Sequence, residues 1–513
     1  MRFLTGIIIT MLSLFTVCGE IAYQCGFKPE QLKDWTMPSC AATETIGGIP
    51  ALRISVSPES GADVSNIATR KFDLSMYKSK NLVLSCKIKA GGVTKSKQAW
   101  NGIKFMVNYK SGGQEIWRNI SQTWGTFDWK EFTVGISVPD DVQGGTLSFG
   151  LQDCSGTVWF SDFKIAVLEP RDLYPVPSVP ENFKAEYTSR VNDMPRLRGV
   201  MSGGQYRRGD MDELAKWGAN LIRWQLTRDW GKAGTDRDQT EYFKWIDAKI
   251  AELDLALADA ERLGIKVIID LHSPPGGRYQ NRSMAMFYEK EYAQQYIKVW
   301  ERIAQKFKGS STVWGYDLIN EPLQITPALY DYLTLQIMAA KAIRQIDPDV
   351  PVIIESNEWD SAAAYKYLGP LPVKDVIYQV HMYVPMRFTH QGVEKAAKED
   401  LIKYPGLIDG MEYNREALRK VLQPVIDFQK KYGVRVYVGE FSAIRWAPGA
   451  AQYLDDCISI FEENNWDWSY HAFREWNGWS VENSDNRDDK APSAKDTDRK
   501  KVLLKWFEKN KNL

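Results

Sequence analysis

The spacing of apolar residues changes character once along the chain. From about Tyr23 to Leu168 they come in short β-rich runs, such as Leu82–Ile88, Gly102–Tyr109 and Thr146–Leu151, separated by Gly, Ser, Asn and Asp. Helical periodicity is scarce there, so the pattern predicts an antiparallel β-sandwich of jelly-roll type over residues 21–168. Glu169–Pro180 then carries prolines at 170, 175, 177 and 180. Prolines at that density favour an extended connector, and residues 169–194 are assigned to it. Beyond it, strand-like runs alternate with amphipathic helical segments such as Phe243–Leu263, Tyr292–Phe307 and Arg415–Tyr432. The candidate strands are Leu197–Met201, Ala219–Leu226, Lys266–His272, Val313–Asn320, Val352–Ser356, Val376–Tyr383, Val434–Phe441 and Trp466–Phe473. That alternation over residues 195–513 predicts a (β/α)₈ barrel, a fold whose active sites lie at the carboxyl ends of the strands.

Polar residues should then gather at those ends. The fourth run closes in Asn320-Glu321-Pro322, where proline stops the ladder, and the seventh delivers Glu440. Arg223 ends the second run, His272 the third, His381 and Tyr383 the sixth. Paired carboxylates are what glycoside hydrolysis requires, one to protonate the leaving oxygen and one to attack or to activate water. Each residue also has a plain structural reading: Asn-Glu-Pro can merely turn the chain, a lone histidine can be a satisfied core residue, and Arg223 can answer a buried Asp317 or Asp270. The convergence of the whole set on one barrel face outweighs those readings.

At these residues the chain resembles glycoside hydrolase family 5, the cellulase family of retaining (β/α)₈ enzymes. The likeness runs from Pro195 to the C-terminus on Ile-Arg223-Trp, Asp-Leu-His272, Ile-Asn320-Glu321-Pro, His381-Met-Tyr383 and Val-Gly-Glu440-Phe. It implies that Glu321 is the acid/base and Glu440 the nucleophile. Arg223 and Tyr383 would keep Glu440 ionised, Asn320 would meet a sugar hydroxyl, and His272 and His381 would position Glu321 or substrate. The family's tryptophan after the eighth strand is assigned to Trp476, which would floor the reacting subsite, although His471 and Phe473 stand where a Trp is also to be sought. The amino-terminal third, through Gly156–Ile165 and Phe127–Phe132, resembles accessory β-sandwich modules of carbohydrate-active enzymes. Trp100, Trp117 and Trp124 are its candidate sugar platform. The implied activity is cleavage of plant cell-wall β-glycan or hemicellulose, with an exo-acting glycosidase and a non-catalytic glycan-binding protein as alternatives.

Composition narrows the partners. Lys plus Arg equals Asp plus Glu at 65 each, so there is no basic field for nucleic acid. The 19 Trp and 24 Tyr exceed ordinary core needs and suit the faces of sugar rings. Rim aromatics Trp224, Trp230, Tyr279, Trp359, Phe388, Trp446 and Trp479 could stack on a glycan, Arg278, Arg445 and Arg474 suggest a cationic rim, and the insertion Pro385–Met411 with His390 could close one end of a cleft. Met1-Arg2 before the apolar Phe3–Val17 reads as an export signal over residues 1–20, ending either in cleavage near Gly19 or in a lipid on Cys18. The expected location is extracellular, periplasmic or on the outer surface, with membrane attachment only through that lipid, and the expected state is a monomer. Export permits disulfides among Cys25, Cys40, Cys86 and Cys154 in any of three pairings, while Cys457 reads as a buried thiol. Cys and His show no metal-ligand spacing, and no metal or cofactor is expected.

Overall fold

A computed structural model describes residues 20–60, 65–78, 80–98, 100–120, 123–168, 177, 179–228, 235–279, 281–393 and 401–512. The export signal with Cys18, most of the proline-rich stretch and Trp230 lie outside them. The chain forms two compact units. Among the described residues no helix is long and apolar enough to cross a membrane.

The first unit is a sandwich of antiparallel strands. One sheet runs Ala41–Ile46, Ile49–Val56, Gly156–Leu168, Asn81–Val93 and Gly125–Ser137, with Glu20–Cys25 also on Gly156–Leu168. The other runs Ser65–Lys71, Gln143–Gln152, Gly102–Ser111 and Gln114–Asn119. Phe105, Phe149, Phe160 and Phe163 all point inward, a register irregularity between Ser161 and Lys164 putting the last two on one face, and Phe149 meets Phe27, Trp35, Phe160 and Phe163 edge to face in one aromatic core. Trp100, Trp117 and Trp124 are exposed instead. The expectation of disulfides here is corrected, because Cys25, Cys40, Cys86 and Cys154 are all free. Cys86 donates to the Ser161 carbonyl and Cys40 to Asn66 Oδ1, each at 3.3 Å, so both sulfurs are spent on other partners. Cys457 is a buried thiol on the helix Ala450–Glu463.

The second unit is a closed barrel of eight parallel strands: Arg198–Ser202, Leu221–Gln225, Lys266–Asp270, Val313–Asp317, Val352–Glu355, Val376–Met382, Arg435–Phe441 and Asp467–Phe473. Every strand expected from the sequence is present: the first is shifted one residue toward the carboxyl end, and each of the others is one to three residues shorter at one end or both. Residues 185–190, assigned to the connector, hydrogen-bond to the barrel: Ala185 N–H to the Tyr432 carbonyl, the Tyr187 hydroxyl to the Val376 carbonyl, and Thr188 N–H to Asp375.

The two-residue period of a strand stacks the interior in layers. Leu197, Leu221, Ile268, Trp314, Ile353, Ile377 and Tyr437 form an apolar plug. Two residues further along the same strands the inward positions are Arg223, Asp270, Glu355 and Gln379, all buried and polar. Two further still come Gln225, His272 and His381, at the carboxyl end. A single alternation thus carries these four strands from hydrocarbon to polar or charged side chains within about 7 Å, at ~3.3 Å per residue.

Candidate active site

Arg223 is the hub of the charged layer. It is 0% exposed, so each guanidinium N–H has to be answered inside the barrel. Nε donates to Asp317 at 2.8 Å, Nη1 to Glu440 Oε1 at 2.8 Å, and Nη2 to Asn320 Oδ1 and Glu355 Oε1, both at 3.0 Å, with Asp270 at 3.3 Å. Asp317 and Asp270, the partners of the plain structural reading, are therefore present together with Glu440, and one cation serves both purposes. Burial lifts the Asp317 carboxyl to about 6 even with Arg223 beside it.

Glu440 is fixed from both sides. Arg223 holds Oε1, and the Tyr383 hydroxyl donates to Oε2 at 2.8 Å. Burial by itself would favour its protonated form, but the positive charges of His381, His471 and Arg223 outweigh it and hold the carboxyl well below the usual range. Tyr383 also meets His471 Nδ1 at 2.7 Å, and His471 Nε2 meets Glu475 Oε2 at 3.1 Å, so a hydrogen-bonded chain runs from Glu440 to the rim.

Glu321 sits in a left-handed backbone conformation, φ 51°, which a residue with a side chain adopts only when its surroundings impose it. Here they do. Its N–H donates to Glu355 Oε2 at 2.6 Å, and its carbonyl accepts from Arg278 at 2.8 Å. The twist turns the carboxylate toward the barrel axis, where His381 Nδ1 lies 3.2 Å from Oε1. One carboxylate oxygen of Glu321, one of Glu440 and a nitrogen of His381 all lie within 4.8 Å of one another. Burial works against a charge on His381, but Glu440, Glu321 and Asp360 around it raise its imidazole to about 9.

Spacing alone would let Glu321, His381 and Glu440, or Glu355, Asp360 and His381, surround a cation. His272 completes the wall, with Nδ1 at 2.9 Å from Asp270 and Nε2 at 3.4 Å from the Asn320 amide.

Seven of the eight residues singled out from the sequence thus meet at one end of the barrel: Arg223, His272, Asn320, Glu321, His381, Tyr383 and Glu440. Trp476 does not join them. The eighth strand ends at Phe473, Arg474 turns outward at φ 52° to pair with Asp210 and Glu482, and Trp476 lies 41% exposed against Trp446 and Trp479. The rings that do stand against Tyr383 are His471, Trp479 and His390, so all four histidines of the chain converge here.

Glu355, Gln379, His471 and Glu475 are the site residues that sequence reasoning missed. Glu355 ends the fifth strand as Glu440 nearly ends the seventh, so the same strand-tip signal was available for it; Glu475 lies in a loop and carries no such signal. The cationic rim is also corrected: Arg474 is neutralised by its two carboxylates, Arg445 caps the Arg487 and Asp489 carbonyls, and Arg278 caps the Asn320 and Glu321 carbonyls beneath the Trp359 ring. Of the rim aromatics, Trp224, Phe388, Trp446 and Trp479 are buried packing, and Trp359 is exposed.

The second unit is similar to known proteins. The family model Cellulase (glycosyl hydrolase family 5) matches residues 191–477. Endoglucanase C of Acetivibrio thermocellus is 26% identical over 280 residues, 50% of this chain and 80% of the relative. Cellodextrinase A of Ruminococcus flavefaciens is 25% identical over 264 residues, 48% of this chain and 74% of the relative. The crystal structure of a glycoside hydrolase aligns with 61% of this chain and 99% of its own at TM-score 0.49 and 24% identity. The chain belongs to the cellulase family, glycosyl hydrolase family 5, and is an O-glycosyl hydrolase.

Proposed function

We propose that this enzyme cleaves plant cell-wall β-glycan, a β-glucan or hemicellulose, with retention of configuration through a covalent glycosyl-enzyme. The observation that carries the reading is the spacing of Glu321 and Glu440. Retaining enzymes hold their two carboxyl groups about 5–5.5 Å apart and inverting ones about 6.5–9.5 Å, to admit a water. One oxygen of each carboxylate lies within 4.8 Å of the other, an approach that supports the shorter, retaining range. Glu440, held ionised, attacks the anomeric carbon; Glu321 gives its proton to the leaving oxygen and then takes one from the water that releases the sugar. Arg223 and Tyr383 hold Glu440 in line and take up its charge as the bond breaks again. Asn320, bonded to Arg223, is placed for the hydroxyl next to the reacting carbon. The A. thermocellus and R. flavefaciens relatives, named endoglucanase and cellodextrinase, support a β-glucan substrate.

Following the anomeric proton signals of the first-formed product by NMR tests this directly. The β-anomer should accumulate before mutarotation, and a 2-fluoro glycoside should leave its mass on the Glu440 peptide. An α-anomer as first product would sink the reading.

The exposed Trp100, Trp117 and Trp124 support a companion role for the sandwich in holding insoluble glycan. Replacing all of them by alanine should then reduce co-sedimentation with cellulose and leave turnover of soluble substrate intact. Export of the enzyme rests on Phe3–Val17; the mass of the mature amino terminus distinguishes a cleaved signal from a lipid on Cys18.

A further inference from the structure

Beside the two glutamates a cavity of about 230 Å³ opens at the ends of the first, second, third and eighth strands, lined among others by Ser202, Arg207, Gln225, His272, Phe473 and Glu475. Pockets for drug-sized ligands begin at about 300 Å³, so this one suits a single sugar ring. Phe473 and the His272 imidazole are the rings among its described lining residues, the other ten are not aromatic, and recognition there rests chiefly on hydrogen bonds. The charges of Arg474 and Arg228 are answered by Asp210 and Glu482, and by Asp236 and Glu241, while Arg207 donates to two neutral oxygens, the Arg474 carbonyl and Gln205 Oε1. Glu475 is the acceptor that faces the space. Gln225 Nε2 donates to its Oε2 at 3.0 Å and His471 Nε2 lies 3.1 Å from the same oxygen, so the side chain is fixed at one oxygen while Oε1 takes part in neither contact. The carboxylate is about one third exposed, and His471 beside it holds it ionised.

The direction of the glycan follows from the two glutamates, and this step rests on the retaining reading above. Arg278 beneath Trp359 caps the Glu321 carbonyl, which places Trp359 on the leaving-group side. Glu475 is reached from Glu440 in the other direction, through Tyr383 and then His471. Because two side chains intervene, the ring that meets Glu475 is the neighbour of the ring that Glu440 bonds. We propose that Glu475 reads the sugar unit one removed from the cleaved bond on its non-reducing side, accepting hydrogen bonds at Oε1 from two adjacent hydroxyls, and restricts this pocket to glycans that carry those hydroxyls free. A branch or ester on either hydroxyl removes a donor and fills the space.

The test is kcat/KM of the full chain on an aryl β-cellobioside and an aryl β-glucoside. Hydrogen bonds to a charged group are strong enough that Glu475→Ala should lose about 100-fold on the cellobioside, chiefly in KM. The cellobioside-to-glucoside preference should fall at least tenfold. Glu475→Gln keeps an acceptor oxygen and its contacts to Gln225 and His471, so it should show the same selective loss at about tenfold, and it serves if the alanine variant does not fold. Proportional loss on both substrates would make Glu475 a support of His471 and Tyr383 and overturn the proposal, as would an unchanged preference. Failure of the retaining reading is seen separately, in the anomer formed by the wild type.

Discussion

The two inner layers of the barrel are built from the same strands two residues apart, and they differ in every physical respect. Leu221, Ile268, Ile353 and Ile377 close the lower layer with side chains whose burial is favourable wherever they are put. Arg223, Asp270, Glu355 and Gln379, directly above, are groups whose burial is costly unless each is paired. The lower layer pays for the upper. A site dry enough to make the Arg223–Glu440 contact strong exists because the plug beneath it supplies stability without any demand on direction. Function and stability should therefore separate cleanly between layers, and that separation can be broken by experiment.

The largest effect is expected from Glu440→Ala. Removing the nucleophile of a double displacement should lower turnover by at least about 10⁴-fold. The fold should remain, because Arg223 keeps Asp317 at 2.8 Å and Asp270 at 3.3 Å, and one negative charge fewer crowds the layer. Turnover on a glycan assay, paired with a thermal melt, checks both halves. A collapsed melt would mean that the charged layer also holds the barrel together.

Ile353→Ala is the converse. Ile353 is fully buried in the plug, and deleting its branched chain should cost about 2–5 kcal/mol of stability. Its carboxyl-side neighbour by one period is Glu355, so the substitution lies as near to the site as the lower layer allows. Denaturant titration should show the loss, and kcat/KM per folded molecule should hold within threefold. A tenfold fall would show that the layers are coupled through the strand.

The contrast between layers also decides what could be read from sequence. All eight strands were legible because each is a short β-rich run alternating with a helical pattern, and the plug residues announce themselves by type. Tip residues with an unusual identity, two glutamates and two histidines in a chain that has four, were legible as well. What was not legible is which way a side chain turns once the strand has ended. Glu321 reaches the axis because Glu355 and Arg278 clamp its backbone at positive φ, and Trp476 misses it because Arg474 pairs outward with Asp210 and Glu482. Those decisions belong to tertiary contacts between loops, which leave no period in the sequence. The fate of the rim arginines was hidden for the same reason, since a carbonyl cap looks like a free cation when only residue types are known.

The smallest of the expected effects concerns protons. His381 sits between Glu321 and Glu440 on one edge of its ring and Glu355, Asp360 and Gln379 on the other, and its imidazole is raised from the ordinary 6.5 to about 9. A group raised on folding stabilises the native state fully below its unfolded value and loses that contribution as pH climbs through its folded one. Burial also raises the Glu355 and Asp360 carboxyls, so they too hold protons more firmly folded than unfolded, and their contribution runs in the same direction. Glu440 runs the other way: its depressed carboxyl favours the folded state above the ordinary carboxylate range and withdraws that support on acidification. Raising pH from about 6.5 to about 9 should therefore cost the wild type stability on the order of 2–3 kcal/mol through His381. His381→Asn, which cannot take up the proton, should give a flatter profile over that window. Denaturant melts at a series of pH values in constant salt make the comparison; parallel profiles would mean that His381 carries no extra proton in the folded barrel, and that the negative charge around it is neutralised by protons on Glu355 and Asp360 alone.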